Sequence, residues 1–375
     1  MLLAQSNLTL MGGAELTILK IAERYNPIIY TAEYNKAKTY KEFKDFDIRV
    51  ISKGRFGGLL PYSRASQGLD YGLAFYNIKV REDYDIINAH LGPSHWIRNN
   101  NERVMWHCHT PLRDIYDLYQ FRMSLRKPHN RPMYAVGAKI VRMIDQGVVK
   151  KIEQIVTNSP NTLSRIRKYY DRDAIVVGSG VDCSKYSDDG DGKYFFYPSR
   201  FSPNKRQDYV LRAFQIFSRN VKGYKLIMAG GLSSDPFYMN YYKSIVSLSK
   251  KIGNVEIFTD VPEKRLIELY SRSTAVLYSP INEDMGVVPL QAMASGKVII
   301  SVNEGGPRYT VTNRKTGFLV NNESEMASRM AEIVDNVSLR EKIANAGLHE
   351  AKTKFSWDAF LKRYDASIKK TLKGA

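Results

Sequence analysis

Short β-branched and apolar runs alternate with stretches of helical period along nearly the whole chain, and about halfway the series starts again. In the first half the strand candidates are Pro27–Tyr30, Asp85–Ala89, Arg103–His107, Gln154–Val156 and Ala174–Val177. In the second they are Tyr194–Tyr197, Lys225–Ala229, Val255–Phe258, Ala275–Tyr278 and Val298–Val302, with helical patterns such as Gln207–Ser218 and Asp235–Lys251 between them. Such alternation closes into parallel sheets covered by helices on both faces, because parallel neighbours need a long crossover. Two series predict two such domains, in keeping with a length of 375 residues, too long for one ordinary core.

The fold class expected is therefore α/β, with two Rossmann-like domains. Between them, Gly178–Lys193 gathers Gly178, Gly180, Gly190 and Gly192 with Asp182, Asp188, Asp189 and Asp191, the composition of a hinge. The expected division is residues 1–177, residues 178–355, and a C-terminal helix at 356–375 packing back on the first domain. In that helix Trp357, Phe360, Leu361, Tyr364 and Ile368 recur at helical spacing.

Composition narrows the class further. Hydrophobic residues at 43% and charged residues at 25% are those of a folded globular protein. No apolar run approaches the roughly 20 residues of a spanning helix, and the start of the chain lacks the signature of a signal peptide. Only Cys108 and Cys183 are present, which suits a reducing compartment. A cytoplasmic protein is expected, and the sequons at Asn7, Asn322 and Asn336 read as chance.

The formal charge is +18. From Leu118 to Arg172, twelve basic residues face three acidic ones, a net of +9. Such a surface suits a phosphate-bearing partner or is merely a solvated basic face. Within it, Pro132–Ile155 sets Met133, Val136, Ile140, Met143, Ile144 and Val148 among Lys139, Arg142, Lys150 and Lys151. This reads either as a basic amphipathic helix lying on an anionic membrane or as a helix whose apolar stripe faces the core.

In open parallel sheets ligands sit at the carboxyl ends of the strands, so the loops there carry the chemistry. Met11-Gly12-Gly13-Ala14-Glu15 leads from an apolar run, Leu2–Leu10, into a helical pattern, Leu16–Arg24. Its glycines allow close backbone approach, and the helix N-terminus beyond offers N–H groups to a phosphate. After the first strand of the second half comes Tyr197–Arg206, in which Arg200 and Lys205 form a cationic fork suited to a diphosphate. The strongest segment is Ser279–Gly296. It places Glu283 in a strand-end loop, Gly286 at the start of a helix of small and apolar residues, and Gln291 about two turns on.

That segment resembles the E-x7-E signature of glycosyltransferase family 4. Companions follow in family order: Gly12-Gly13-Ala14-Glu15, His107-Cys108-His109-Thr110-Pro111, Gly180-Val181-Asp182, the Arg200/Lys205 loop and Gly305-Gly306-Pro307. The resemblance spans nearly the whole chain, and the His-Thr-Pro loop with Leu112-Arg113-Asp114 is similar to that of mannosyltransferase-like members. It implies a GT-B fold, two Rossmann-like domains with sheets facing across a cleft, acceptor domain first and donor domain second. It implies a retaining enzyme that moves a hexose, with mannose a candidate, from a GDP- or UDP-sugar to a glycan or lipid-linked acceptor. No cofactor and no metal are expected.

By the same resemblance Gly12 and Gly13 lie against the diphosphate, Arg200 and Lys205 are its cations, and Glu283 binds donor sugar hydroxyls. Asp284, Met285, Gly286 and Val287 offer backbone N–H groups, Val261 belongs to the nucleotide site, and His109 sits near the transferred sugar. Gln291 stands where the family usually has a glutamate for the ribose hydroxyls, and Met285 where it prefers phenylalanine. The segments around Lys53–Ser66 and Tyr116–Arg131 are acceptor loops. Rival readings are a synthase acting on a small free sugar, an inactive homologue, motivated by Gln291, and a basic nucleic-acid binder. The last is disfavoured because no recognisable binding motif accompanies the charge. His90, His95, His107 and His109 read as packing or hydrogen-bonding residues rather than metal ligands, and four Asp-x-Asp pairs as turns.

Overall fold

The computed structural model describes residues 1–51 and 64–373. The Lys53–Ser66 segment assigned above to acceptor loops falls largely outside the described residues. The chain forms two compact units, Met1–Gly178 with Leu361–Ala375, and Ser179–Phe360.

The first unit runs β1 (Leu2–Gln5), α1 (Gly13–Tyr25), β2 (Ile28–Thr31), β3 (Ile48–Val50), α2 (Arg64–Asn77), β4 (Ile87–His90), β5 (Val104–Cys108), α3 (Tyr119–Ser124), α4 (Arg131–Val149), β6 (Gln154–Thr157), α5 (Pro160–Tyr170) and β7 (Ile175–Val176). Its seven strands lie in the order β3-β2-β1-β4-β5-β6-β7, every neighbour parallel. The second unit runs β8 (Tyr194–Pro198), α6 (Gln207–Asn220), β9 (Lys225–Gly230), α7 (Pro236–Ile252), β10 (Val255–Thr259), α8 (Glu263–Ser271), β11 (Ala275–Tyr278), α9 (Val287–Ala294), β12 (Val298–Val302), α10 (Pro307–Thr310), β13 (Phe318–Val320), α11 (Glu323–Asp335) and α12 (Val337–Thr353). Its six strands, also parallel, lie in the order β10-β9-β8-β11-β12-β13. A last helix, α13 (Trp357–Lys373), ends the described chain.

Both sheets are doubly wound. Strand order reverses between β1 and β4 and again between β8 and β11, which opens a crevice at the carboxyl edge of each sheet. The strands read as continuous apolar runs because both faces are covered: β5, β8 and β12 are buried at every residue. The short strands β3 and β13 are absent from the expected set. Each has three residues at or near a sheet edge, too few to display a period.

A buried carboxylate braces the first unit. Asp145 of α4 accepts hydrogen bonds from His95 Nε2 (2.8 Å), Trp96 Nε1 (2.8 Å), Tyr116 Oη (3.0 Å) and Tyr170 Oη (2.8 Å). Burial alone pushes this carboxyl up, but His95 beside it and the donors around it outweigh burial and hold it below the usual carboxylate range. The far end of α13 belongs to the same unit. Tyr364 is fully buried against Asn88 and His90, Arg363 donates to the Val177 carbonyl, and Thr371 reaches the Met105 sulfur.

The apolar stripe read over Pro132–Ile155 divides in the structure. Val148 is buried and Ile144 packs against the core, whereas Met133 (74% exposed), Val136 (60%), Ile140 (53%) and Met143 (65%) face solvent. The Asp188–Asp191 run is tied into the second unit, by Lys297 to Asp188, Ser271 to Asp189, and Thr274 and Arg340 to Asp191. Among the described residues no helix is long and apolar enough to cross a membrane.

Candidate functional site

Three strand-end loops of the second unit, following β8, β11 and β12, are knitted together around the reversal between β8 and β11. Residue 281 donates its backbone N–H to the Asn204 carbonyl (2.8 Å), and Ser279 Oγ donates to the carbonyls of Lys205 (3.1 Å) and Arg206 (3.0 Å). Arg206 returns the tie through the carbonyls of Ser279 (2.7 Å) and Pro280 (3.0 Å) and the Glu304 carboxylate (3.0 Å). The third loop approaches so closely that side chains are excluded. A Cβ on Gly305 would sit 2.5 Å from the Glu283 carbonyl oxygen, and one on Gly306 would sit 2.3 Å from the Met285 Cα. Gly306 N–H instead donates to the Glu283 carbonyl at 2.7 Å.

This scaffold holds Lys205 and Glu283 side by side as an ion pair, their side chains only 14% and 17% exposed. Tyr278 lies behind them, its hydroxyl pushed well up by burial and then by the Glu283 charge. Arg200, at the mouth of the β8 loop, is exposed and has no ion pair among the described residues. Gly286 caps α9, whose first turn leaves backbone N–H groups of Val287 and Val288 unbonded within the helix. Asp284 and Met285 occupy the turn between Glu283 and that helix, with Met285 buried. The structure thus gathers Arg200, Lys205, Glu283, Asp284, Met285, Gly286 and Val287 at one sheet edge. Cations, a helix N-terminus and a carboxylate so arranged can hold a diphosphate and hydrogen-bond a polyhydroxylic group beside it.

Gln291 lies farther along α9. Its Oε1 accepts from Tyr270 Oη at 2.8 Å, and its side chain also bonds Tyr186, whose hydroxyl burial pushes up to about 12. Both tyrosines were unmarked in the sequence, because the partner of a helical glutamine is set by tertiary packing. Val261 follows β10 and packs partly buried against the Tyr270 and Tyr278 core. Arg206 is the other residue that sequence reasoning did not assign; Gly305-Gly306 was marked by its motif, but its close approach to the Glu283–Met285 turn is set by the neighbouring loop and shows only in the structure.

The first unit places its predicted residues at its own carboxyl edge. Gly12 caps α1 in extended conformation and Gly13 opens the helix. The buried Glu15 side chain fills the space beside Gly12, where a Cβ would come within 2.5 Å of its Oε2. His109 follows β5, and its carbonyl is fixed by Asn158 Nδ2 at 3.1 Å. Its Nε2 lies 3.1 Å from His90 Nδ1, and its ring stacks on His107 at 4.1 Å and 11°.

One ring nitrogen from each of His90, His107 and His109 lies within 4.8 Å of the other two, and all three residues are buried. The His107 and His109 rings are stacked, and His90 is tilted against both. Burial lowers the pKa of His109 to about 4 and those of His90 and His107 well below the ordinary value of 6.5. The native protein therefore binds fewer protons than the unfolded chain between about pH 6.5 and 4, and its stability falls as pH drops through that window. Each histidine contributes up to about 1.4 kcal/mol per pH unit. Urea unfolding at mildly acidic and neutral pH is expected to show this loss, and equal midpoints at the two pH values would exclude it.

Comparison with known proteins agrees with the fold. The model of the glycosyl transferases group 1 matches residues 183–350, and that of glycosyltransferase family 4 matches residues 11–185. The chain is 25% identical over 395 residues to the alpha-1,3/1,6-mannosyltransferase ALG2 of Mus musculus, covering 93% of this chain and 91% of that one. It is 23% identical over 342 residues to a D-inositol 3-phosphate glycosyltransferase of Corynebacterium glutamicum, covering 84% and 79%. Among solved structures, HepE of Anabaena in complex with UDP superposes with a TM-score of 0.74 at 16% identity, covering 99% of this chain and 100% of that one. Sucrose-phosphate synthase of Thermosynechococcus elongatus gives 0.76 at 14% identity, with 100% of both chains covered.

Proposed function

The chain belongs to the glycosyltransferases, through its group 1 and family 4 regions, and from that premise we propose that it is a retaining enzyme transferring a hexose, mannose first among candidates, from a GDP- or UDP-sugar to a glycan or lipid-linked acceptor. The observation that carries this reading is the Lys205–Glu283 pair set between the β8 and β11 loops, beside the N-terminus of α9. The alpha-mannosyltransferase and UDP-bound relatives support the sugar and nucleotide classes. Two free cysteines suit a reducing, cytoplasmic setting.

In this reading Arg200, Lys205 and the α9 N–H groups take the diphosphate. Lys205 then exchanges its Glu283 partner for phosphate oxygens, which frees the carboxylate to hold sugar hydroxyls. As the acceptor oxygen bonds to the anomeric carbon, the bond from that carbon to the diphosphate breaks and negative charge grows on the leaving oxygens, where the cations stabilise it. The departing phosphate accepts the acceptor's proton, so no protein nucleophile is needed. His109, neutral at working pH, offers a hydrogen bond to the sugar rather than a charge.

Thermal-shift measurement with UDP, GDP, ADP and their sugar conjugates, with and without Mg²⁺, tests the donor assignment, because a ligand specific to the native state raises the melting point. One nucleotide family is expected to stabilise the protein without metal; no shift with any of them would sink the reading. The same titration addresses Gln291. A carboxylate accepts from a ribose diol more strongly than an amide does, so Gln291→Glu is expected to tighten nucleotide binding about five- to tenfold. Unchanged affinity would remove position 291 from the ribose site.

A further inference from the structure

We propose that Arg206 and Glu304 are positioning residues, a clamp that keeps Lys205 and Glu283 in register for the diphosphate of the donor; this rests on the donor-site reading above. Each member of the Lys205–Glu283 pair adjoins a backbone position of unusual conformation. Arg206, immediately after Lys205, has a φ of +54°, and Asn282, immediately before Glu283, a φ of +42°. A residue with a Cβ enters this left-handed region at a cost and stays there where its surroundings fix it. Asparagine has a short polar side chain that eases the conformation, whereas arginine has no such local help.

The contacts that fix both positions meet on one carboxylate. Glu304, in the loop after β12, accepts Arg206 Nη2 on Oε1 at 3.0 Å and the Asn282 N–H on Oε2 at 3.4 Å. The same guanidinium donates to the Ser279 and Pro280 carbonyls of the loop after β11. One planar cation thus joins the loops after β11 and β12, while its own backbone sets the direction in which the chain leaves Lys205. A guanidinium fork suits three acceptors held in fixed directions; an ammonium is a single point on a flexible stem.

Other groups hold the loops together without the clamp. Residue 281 donates to the Asn204 carbonyl, Ser279 Oγ to the Lys205 and Arg206 carbonyls, and Tyr197 Oη to the Lys205 carbonyl. The Arg206 side chain is 23% exposed, so it is no core strut. What it adds is precision: two charged side chains stay correctly spaced only as well as the backbone beneath them is held. When a diphosphate draws Lys205 away from Glu283, the clamp keeps the two loops from relaxing apart.

The test is titration calorimetry of the full chain with UDP and with GDP. Arg206→Gly removes the guanidinium yet suits the left-handed backbone, so its melting point is expected to stay within about 3 °C of wild type. Affinity for the diphosphate that the wild type binds is expected to fall about tenfold in Arg206→Gly and about equally in Glu304→Ala. The double variant is expected to fall no further than either single one, because the two residues act as a unit. Arg206→Lys is expected to recover only part of the loss. In a Lys205→Ala background, Arg206→Gly is expected to change affinity by less than about twofold, since the clamp acts through Lys205.

Wild-type affinity in Arg206→Gly, or additive losses with Glu304→Ala, overturns the clamp; the donor site still stands if Lys205→Ala alone weakens binding. A loss that persists in the Lys205→Ala background would mean that Arg206 meets the phosphates itself, and a melting point lowered by roughly 10 °C that it is a folding strut; either overturns the proposal. Lys205→Ala with wild-type affinity, or a wild type that binds neither nucleotide, sinks the donor-site reading and the clamp with it.

Discussion

Glu283→Ala is expected to fold normally and to lose transfer by about 10²- to 10³-fold, the scale of removing one preorganised electrostatic contact to a reacting group. The Glu283 side chain is largely covered beside Lys205, and its backbone, not its side chain, carries the tie to Gly306. Truncation therefore leaves the loop scaffold of Ser279, Arg206 and Gly305 in place. What it removes is the group proposed to hold the donor sugar, together with the partner that positions Lys205 before ligand arrives. Kinetics and melting temperature measured on the same preparation separate the two effects. A low kcat at unchanged stability is the expected outcome, and wild-type turnover would remove Glu283 from the site. Lys205→Ala is the companion variant: its loss is expected to fall on diphosphate binding and on kcat together.

The second large effect is one of stability. Asp145→Ala is expected to cost about 3–5 kcal/mol, because it leaves buried donors without an acceptor. Four groups from three segments converge on this carboxylate, His95 and Trp96 ahead of β5, Tyr116 after it, and Tyr170 at the end of α5. His95 also stacks on Trp106 of β5 at 4.1 Å, so losing its anchor loosens the core beneath the sheet. In calorimetry the first unit's transition is expected to drop by roughly 10 °C, while that of the second is unmoved. Asp145→Asn, which keeps one acceptor oxygen, is expected to fall between. A change below about 1 kcal/mol would show that water replaces the carboxylate.

The two variants mark what a sequence can and cannot display. That Arg200, Lys205, Glu283 and Gly286 gather at one sheet edge was legible because each lies in a loop that directly follows a strand or opens the next helix. The parallel strands were legible because burial on both faces makes them apolar throughout. The Asp145 network was not, since its five members span residues 95–170 and none is distinctive alone. The partners of Gln291 were hidden for the same reason. On α4 a single helical period could not separate an inward from an outward apolar side, because both lie within one wide stripe. The two three-residue strands lacked the length to show any period.

The last helix has a consequence for how the molecule is made. Tyr364 fills the first unit's core, yet it leaves the ribosome after all of residues 179–360, which form the other unit without interruption. During synthesis the later unit can therefore complete its core while the earlier one still waits for its final piece. Until then Asn88 and His90 lack their tyrosine. Nascent chains stalled short of residue 361 are predicted to hold a protease-resistant second unit beside a first that is still open to cleavage.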